Sequence, residues 1–314
     1  MPPVTVFMFP GQSSLVPGML ERATHLADGG ARLLRDAAEV LGQRVESPLA
    51  GAPRSNWQTQ VSVFLCTLLH LRAVQQRGIA GDVSCGMSLG EYAHLVHIGA
   101  LQWTDALRLV SARGRAYDAG PRGQMLTVFP VTEAELAALL PAARQHGRLF
   151  VSNHNSPTQH VLAGDAAAIA WAAAHVRDDL CGDAVLVEPR LPMHCELFAP
   201  VAPVLQQHLR AAPWRSGAGV YLPNVDAVPL PSPTPADLVD RLTRHVTHAV
   251  CWRQSMERLR AMHPDARFVE VGPGRVLHNL LRKPWMPVAR HATDHDTTPT
   301  EHFESTMRAL RHAH

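Results

Sequence analysis

The sequence is short of the features that assign a protein quickly. Its five cysteines (Cys66, Cys85, Cys181, Cys195 and Cys251) are odd in number, widely scattered and without a C-x-x-C pair. That excludes a disulfide framework and predicts reduced, mostly buried thiols in a cytoplasmic protein. No dense run of one charge exists: Lys+Arg 29 against Asp+Glu 27 leaves a formal net charge of +2, so nothing points to nucleic acid or an anionic membrane as a partner. No stretch approaches a membrane span. The apolar run in MPPVTVFMFPGQ is too short, with too little positive charge before it, for a signal peptide. Histidine is the exception, with 19 copies, several of them near the C-terminus (His291, His295, His302, His312 and His314). Their spacing fits no zinc signature, and solvated surface imidazoles are expected there.

What is present is an ordinary core. With 46% hydrophobic and 18% charged residues over 314 positions, the chain can build one large domain, or one large and one small. VTVFMF (4–9) reads as a buried strand running into a Pro-Gly loop. A helical period runs from about 18 to 42, and a second helix, apolar nearly all round and therefore buried, from about 59 to 77. DVSC then reads as a strand, followed by helices over about 89–98 and 104–118. This alternation predicts a parallel sheet covered by helices.

The middle of the chain changes rhythm. QMLTVFPV, RLFVSN, QHVLAG and DAVLVEP read as strands, with TEAELAALLPAARQ and DAAAIAWAAAHVR as helices. The order β-α-β-β-α-β is that of a ferredoxin-like unit. We expect a small domain over 125–190 inserted in a large one made of 1–124 and 191–314. Beyond it, ELFAPVAPVLQQHLRA reads as a helix broken early by proline and GVYLPNVDA as a strand and turn. PTPADLVDRLTRHVTH and CWRQSMERLRAMH read as helices, and RFVEVGPG as a strand entering a glycine loop.

GMSLG (86–90) satisfies G-x-S-x-G with an apolar strand before it and a helix after it, the context in which Ser88 would be lifted clear of the sheet. The flanking glycines would allow a bend that side chains resist, and the helix N-terminus would face any oxyanion. The pattern alone leaves two readings open, a nucleophile and a helix-capping serine. A nucleophile needs a base. His94 and His97 fall on the helix beyond Ser88 as packing or surface residues, whereas His194 in LPMHCELF sits where the inserted unit returns to the large one, over a cleft.

FPGQSS (9–14), GMSLGEY (86–92), RGRAY (113–117), NHNSPTQHVLAG (153–164) with PMHCELFAP (192–200), and PNVDA to VEVGPGRVL (223–277) occur together and in order. On these segments the chain resembles the malonyl-CoA:acyl-carrier-protein transacylase family and the related acyltransferase domains of polyketide synthases. The resemblance implies an α/β-hydrolase-like large domain with a ferredoxin-like insertion. It implies an acyltransferase that moves a malonyl or substituted malonyl group from coenzyme A to the phosphopantetheine thiol of an acyl carrier protein. The route would be a ping-pong acyl-serine intermediate, in fatty-acid or polyketide biosynthesis. No bound cofactor or metal is implied, and a cytoplasmic monomer is expected.

Residue by residue, the resemblance makes Ser88 the acyl acceptor and His194 the base, oriented by a backbone carbonyl rather than an acid. The amides of Gln12 and Leu89 would form the oxyanion hole. Arg113 would pair with the free malonyl carboxylate, a task suited to a planar guanidinium. Asn153 and Asn155 read as turn residues, although the resemblance places their segment near the acyl pocket. VEVGPGRVL lacks the phosphate-loop spacing, and Glu270 is expected to be scaffold.

Departures from the family pattern surround the site: Met87 replaces a histidine, Ser13 and Leu15 alter the GQGSQ loop, Met193 precedes the base, and His245 replaces a glutamine. They leave the acyl group open. The alternative is a trans-acting acyltransferase or proofreading acyl hydrolase of a polyketide pathway acting on non-malonyl groups. A further alternative is a docking protein that kept the fold. An ordinary esterase lacks support because the HGGG-type oxyanion loop is missing. Arg190, Arg275 and Arg282 are candidates to dock an acidic carrier protein.

Overall fold

The computed structural model describes residues 3–45, 55–216, 219–282, 284–295 and 298–312. Two separate four-stranded sheets organise the chain. In the first, all neighbours are parallel: β1 (Thr5–Phe9) lies between β2 (Val83–Gly86) and a strand at Arg267–Glu270, with Ala289–Ala292 beyond it. Every residue of β1 is buried, as its unbroken apolar run requires between two helical layers. The second sheet holds β3 (Gln124–Phe129), β4 (Leu149–Ser156), β5 (Gln159–Gly164) and β6 (Asp183–Glu188), all antiparallel in the order β4-β5-β3-β6. With helices Glu133–Ala143 and Ala166–Asp178 crossing between strands, this is the ferredoxin-like arrangement. The remaining strands of the parallel sheet are β7 (Arg267–Glu270) and β8 (Ala289–Ala292).

The helix Asn56–Gln76 is buried along most of its length, and the helices Gly90–His97 and Trp103–Asp118 follow β2 as the pattern predicts. Pro200 immediately precedes Val201–Ala211 without a capping hydrogen bond, and Thr234 caps Pro235–Arg244 by accepting from the Asp237 N–H. Cys66, Cys85 and Cys195 are buried, Cys251 is half-buried and Cys181 is exposed; all are free thiols. No described helix is long and apolar enough to cross a membrane.

Several expectations need correction. The helical period over 18–42 forms two helices, Met19–Thr24 and Gly30–Leu41. Gly29 is left-handed (φ 72°), and a Cβ on Gly30 would lie 2.4 Å from the Thr24 carbonyl oxygen, so the chain turns sharply there. GVYLPNVDA forms no strand beyond an isolated bridge between Tyr221 and Leu230. Its N–H groups go elsewhere: Gly219 to the Ile98 carbonyl, Leu222 to His94 Nε2 and Asn224 to Glu91 Oε1. β8 and the helices Val276–Leu280 and Pro299–His312 escaped the sequence reading. The C-terminal histidines are not freely solvated: His291, His295 and His302 are half-buried, and His302 Nε2 meets the Ala292 carbonyl at 3.0 Å. His314 and the side chain of His312 lie outside the described residues.

Candidate active site

β1, β2 and β7 end on one side of the parallel sheet, and the turn after β2 carries Ser88. The glycines act here differently from the sequence expectation. Ser88 itself holds the left-handed backbone (φ 52°), whereas neither Gly86 nor Gly90 has a positive φ. They are needed for close approach: a Cβ on Gly86 would lie 2.1 Å from the Gly90 carbonyl carbon, and one on Gly90 2.0 Å from the Phe9 carbonyl oxygen. Helix, turn and neighbouring strand can therefore touch only through bare backbone.

Asn224 holds the strained turn. Its Oδ1 accepts from the Ser88 N–H at 2.7 Å, and its Nδ2 donates to the Gly86 carbonyl at 2.6 Å. Its own N–H is tied to Glu91 at 3.1 Å. A non-glycine residue at positive φ persists only where its surroundings over-determine it, and this clamp supplies that determination.

His194, also at positive φ (58°), lies beneath the antiparallel sheet where the chain leaves β6. Its Nε2 is 2.8 Å from Ser88 Oγ, and its Nδ1 is 2.9 Å from the His245 carbonyl oxygen. A carbonyl can only accept, so Nδ1 carries the proton and Nε2 is free to take one from the serine. Burial, reinforced by the nearby charges of His245 and Arg113, pushes the His194 imidazole well below its usual range. At neutral pH it is therefore an unprotonated base.

Arg113 projects from the helix Trp103–Asp118 and is 2% exposed. Its Nη2 donates to Ser88 Oγ at 3.1 Å, and its guanidinium lies over the Tyr117 ring at 4.2 Å. Nη1 is buried without a hydrogen-bond partner. The following residue explains how a helix can carry this side chain inward. A Cβ on Gly114 would lie 2.5 Å from the Trp57 Cα, so the glycine lets the helix Asn56–Gln76 pack close alongside. Arg113 and Gly114 thus form one device.

Gln12 opens the short 3-10 turn Gln12–Ser14 after β1, and Leu89 is the N-cap residue of the helix Gly90–His97. N–H groups at such starts have no carbonyl four residues back to meet. The Gln12 side chain is fixed by Asn56 Oδ1 (3.3 Å) and Gln60 Nε2 (3.1 Å), while Asp118 accepts from the Asn56 and Trp57 N–H groups. Asp118 ends the helix of Arg113, so the turn bearing Gln12 and the arginine share one scaffold.

Between the sheets is a cleft of about 580 Å³ lined in part by Gln12, Met87, Ser88, Met193, His194 and Asn155. Arg113 and Leu89 do not line it: Arg113 meets it through Ser88 Oγ, and Leu89 follows Ser88 in the turn, so the sequence-nominated residues gather around Ser88. His94 and His97 stay out of it: His94 Nδ1 meets Ser84 Oγ at 2.7 Å, and His97 packs on Phe7 and Phe9. Glu270 accepts from the His278 N–H at 2.7 Å at the start of Val276–Leu280, and burial pushes its carboxyl up to about 8. It is a structural group. No cluster of potential metal ligands occurs among the described residues. Sequence reasoning missed Asn224, Glu91 and Met125, although the first two lie inside PNVDA and GMSLGEY.

Residues 6–301 match the acyl transferase domain family. The chain belongs to that family. It is 30% identical over 286 residues to the malonyl CoA-acyl carrier protein transacylase of Escherichia coli K12, covering 88% of this chain and 91% of the relative. A protein of the same name from Bacillus subtilis 168 is 29% identical, with 88% and 89% covered. FabD from Acinetobacter baumannii superposes with a TM-score of 0.89 at 26% identity over 100% of both chains.

Proposed function

We propose that this acyltransferase moves a malonyl group from coenzyme A to the phosphopantetheine thiol of an acyl carrier protein through a malonyl ester on Ser88. The carrying observation is Arg113: a buried guanidinium 3.1 Å from the candidate nucleophile, with a second nitrogen lacking a partner. Such a group demands an anion. The free carboxylate of a malonyl thioester supplies one, and an acetyl group does not.

In the first half-reaction Ser88 Oγ attacks the thioester carbonyl as its proton passes to His194 Nε2. Backbone N–H groups of Gln12 and Leu89 receive the developing oxyanion. The C–S bond breaks, and the leaving thiolate takes the proton from His194. In the second half the carrier thiol gives its proton to His194 and attacks the ester, returning the serine hydroxyl. Met87, Met125 and Met193 line the cleft, and such adaptable side chains could accommodate a substituent on the malonyl carbon.

For the carrier surface we propose Arg190, at the cleft wall, and the exposed Arg282. Arg275 is half-buried and contributes less. The test is intact-protein mass spectrometry with malonyl-CoA, followed by a chase with holo acyl carrier protein. Wild type should gain one malonyl group and pass it to the carrier, and Ser88→Ala should gain none. An adduct lost to water at the same rate with and without carrier would replace transfer by hydrolysis.

A further inference from the structure

Behind His194 lies a second imidazole that the transfer chemistry uses only through its backbone. The rings of His194 and His245 are stacked, with centroids 4.5 Å apart and planes inclined by 21°. On its far side His245 Nδ1 is 2.7 Å from Glu91 Oε2, and the two side chains are 5% and 1% exposed. Glu91 is itself fixed, its Oε1 accepting from the Tyr221 hydroxyl at 2.5 Å and the Asn224 N–H at 3.1 Å. The base therefore has no acid at its own Nδ1, while a carboxylate sits one ring away.

Two imidazoles in van der Waals contact cannot both be charged without repulsion, and a carboxylate beside one of them decides which takes the proton. Several titratable groups surround the pair. Glu91, Tyr92 and His94 lie on the helix Gly90–His97, and Arg113 and Tyr117 on Trp103–Asp118. Tyr221 lies on the loop behind, and Glu188 and Arg190 on the cleft wall. Among the described residues, Glu91 is the carboxylate within ion-pair distance of either ring. Arg113, by contrast, faces the His194 side through Ser88 Oγ. Both influences favour a proton on His245.

We propose that His245, paired with Glu91, is a positioning residue that holds the plane of His194 and takes the proton the base would otherwise accept from an acidifying medium. Added to burial, the larger influence on its imidazole, this keeps His194 a free base further into acid. This rests on the reading of His194 as the base of acyl transfer. It also gives the glutamine-to-histidine departure at this position a purpose, because a glutamine supplies the carbonyl but cannot take a proton.

The test is single-turnover acylation of Ser88 by malonyl-CoA from pH 5 to 8, with wild type, His245→Gln, His245→Leu and His194→Ala compared. His245→Gln should move the acid limb upward by about one pH unit, an up to roughly tenfold lower rate than wild type at pH values on the acid side of both limbs. His245→Leu should show the same displacement with the KM for malonyl-CoA unchanged. An acid limb at the wild-type pH, or a loss equal at every pH, would overturn the proposal and leave His245 as packing. A His194→Ala variant that still acylates at the wild-type rate would refute the base reading; an inactive one beside an unshifted His245→Gln would refute this inference alone. Ring-resonance titration of the wild-type protein decides the matter independently of whether the variants fold. His245 should charge first and His194 at lower pH, and the reverse order would contradict the proposal.

Discussion

The two walls of the cleft are built on opposite terms. On the parallel-sheet wall the Ser88 backbone is clamped by Asn224, and His194 is fixed by the His245 carbonyl. On the antiparallel-sheet wall Asn155 Oδ1 is buried without a hydrogen-bond partner, and His154 and His160, which alternate with the lining residues along β4 and β5, are packed behind that wall and out of the cleft. Val185 and Val187 there are each 49% exposed. Buried polar groups without partners cost stability, and exposed valines beside a cleft leave room for a partner's apolar atoms. The contrast separates two tasks. In the proposed mechanism one wall pre-organises bond making, where a misplaced atom costs rate, and the other receives groups that arrive from outside.

The sharpest way to break this contrast is Asn224→Ala, which removes both side-chain bonds across the turn and leaves the positive φ of Ser88 unsupported. The acylation rate should fall by about 100-fold with the KM for malonyl-CoA little changed, since misorientation acts on the chemical step. A rise in KM alone would mean that the clamp serves binding.

Behind the other wall, on the sheet face turned away from the cleft, His160→Leu should stabilise. Burial pushes the His160 imidazole down to about 4 from its ordinary 6.5. The unfolded chain therefore binds a proton that the native chain refuses as pH falls through that window, and native stability declines there. The variant should unfold about 1–2 kcal/mol later at pH 7, with the gap widening toward pH 5, as read by denaturant titration. A destabilised variant would show that the ring nitrogens have partners after all. The smallest expected effect is charge reversal at Arg190 and Arg282. The KM for carrier protein should rise about threefold to tenfold at low salt, with malonyl-CoA kinetics unchanged. No change would move the docking surface elsewhere.

These regions also differ in how far the sequence discloses them. GMSLG with its flanking strand and helix locates the Ser88 turn, and the β-α-β-β-α-β rhythm describes the small sheet, because both signals are local. Arg113 is legible only by resemblance: its burial depends on Gly114 meeting Trp57, a contact between helices distant in sequence. The orienter of His194 is a backbone carbonyl, which any residue at 245 would supply, so no side-chain pattern can reveal it. GVYLPNVDA misleads for a related reason. Its apolar residues are those of a strand, but its N–H groups are taken by Glu91 and His94 on a helix more than a hundred residues earlier.

The central claim is that Ser88 and His194 make the bond while Arg113 chooses the acyl group. Its most direct test is the ratio of kcat/KM for malonyl-CoA over acetyl-CoA in Ser88 acylation, measured for wild type and Arg113→Ala. The account predicts strong preference for malonyl in the wild type and a fall in that ratio of about 100-fold or more in the variant, the loss expected for an unpaired charged group. A wild-type enzyme that takes acetyl as readily as malonyl, or a ratio untouched by Arg113→Ala, would contradict it.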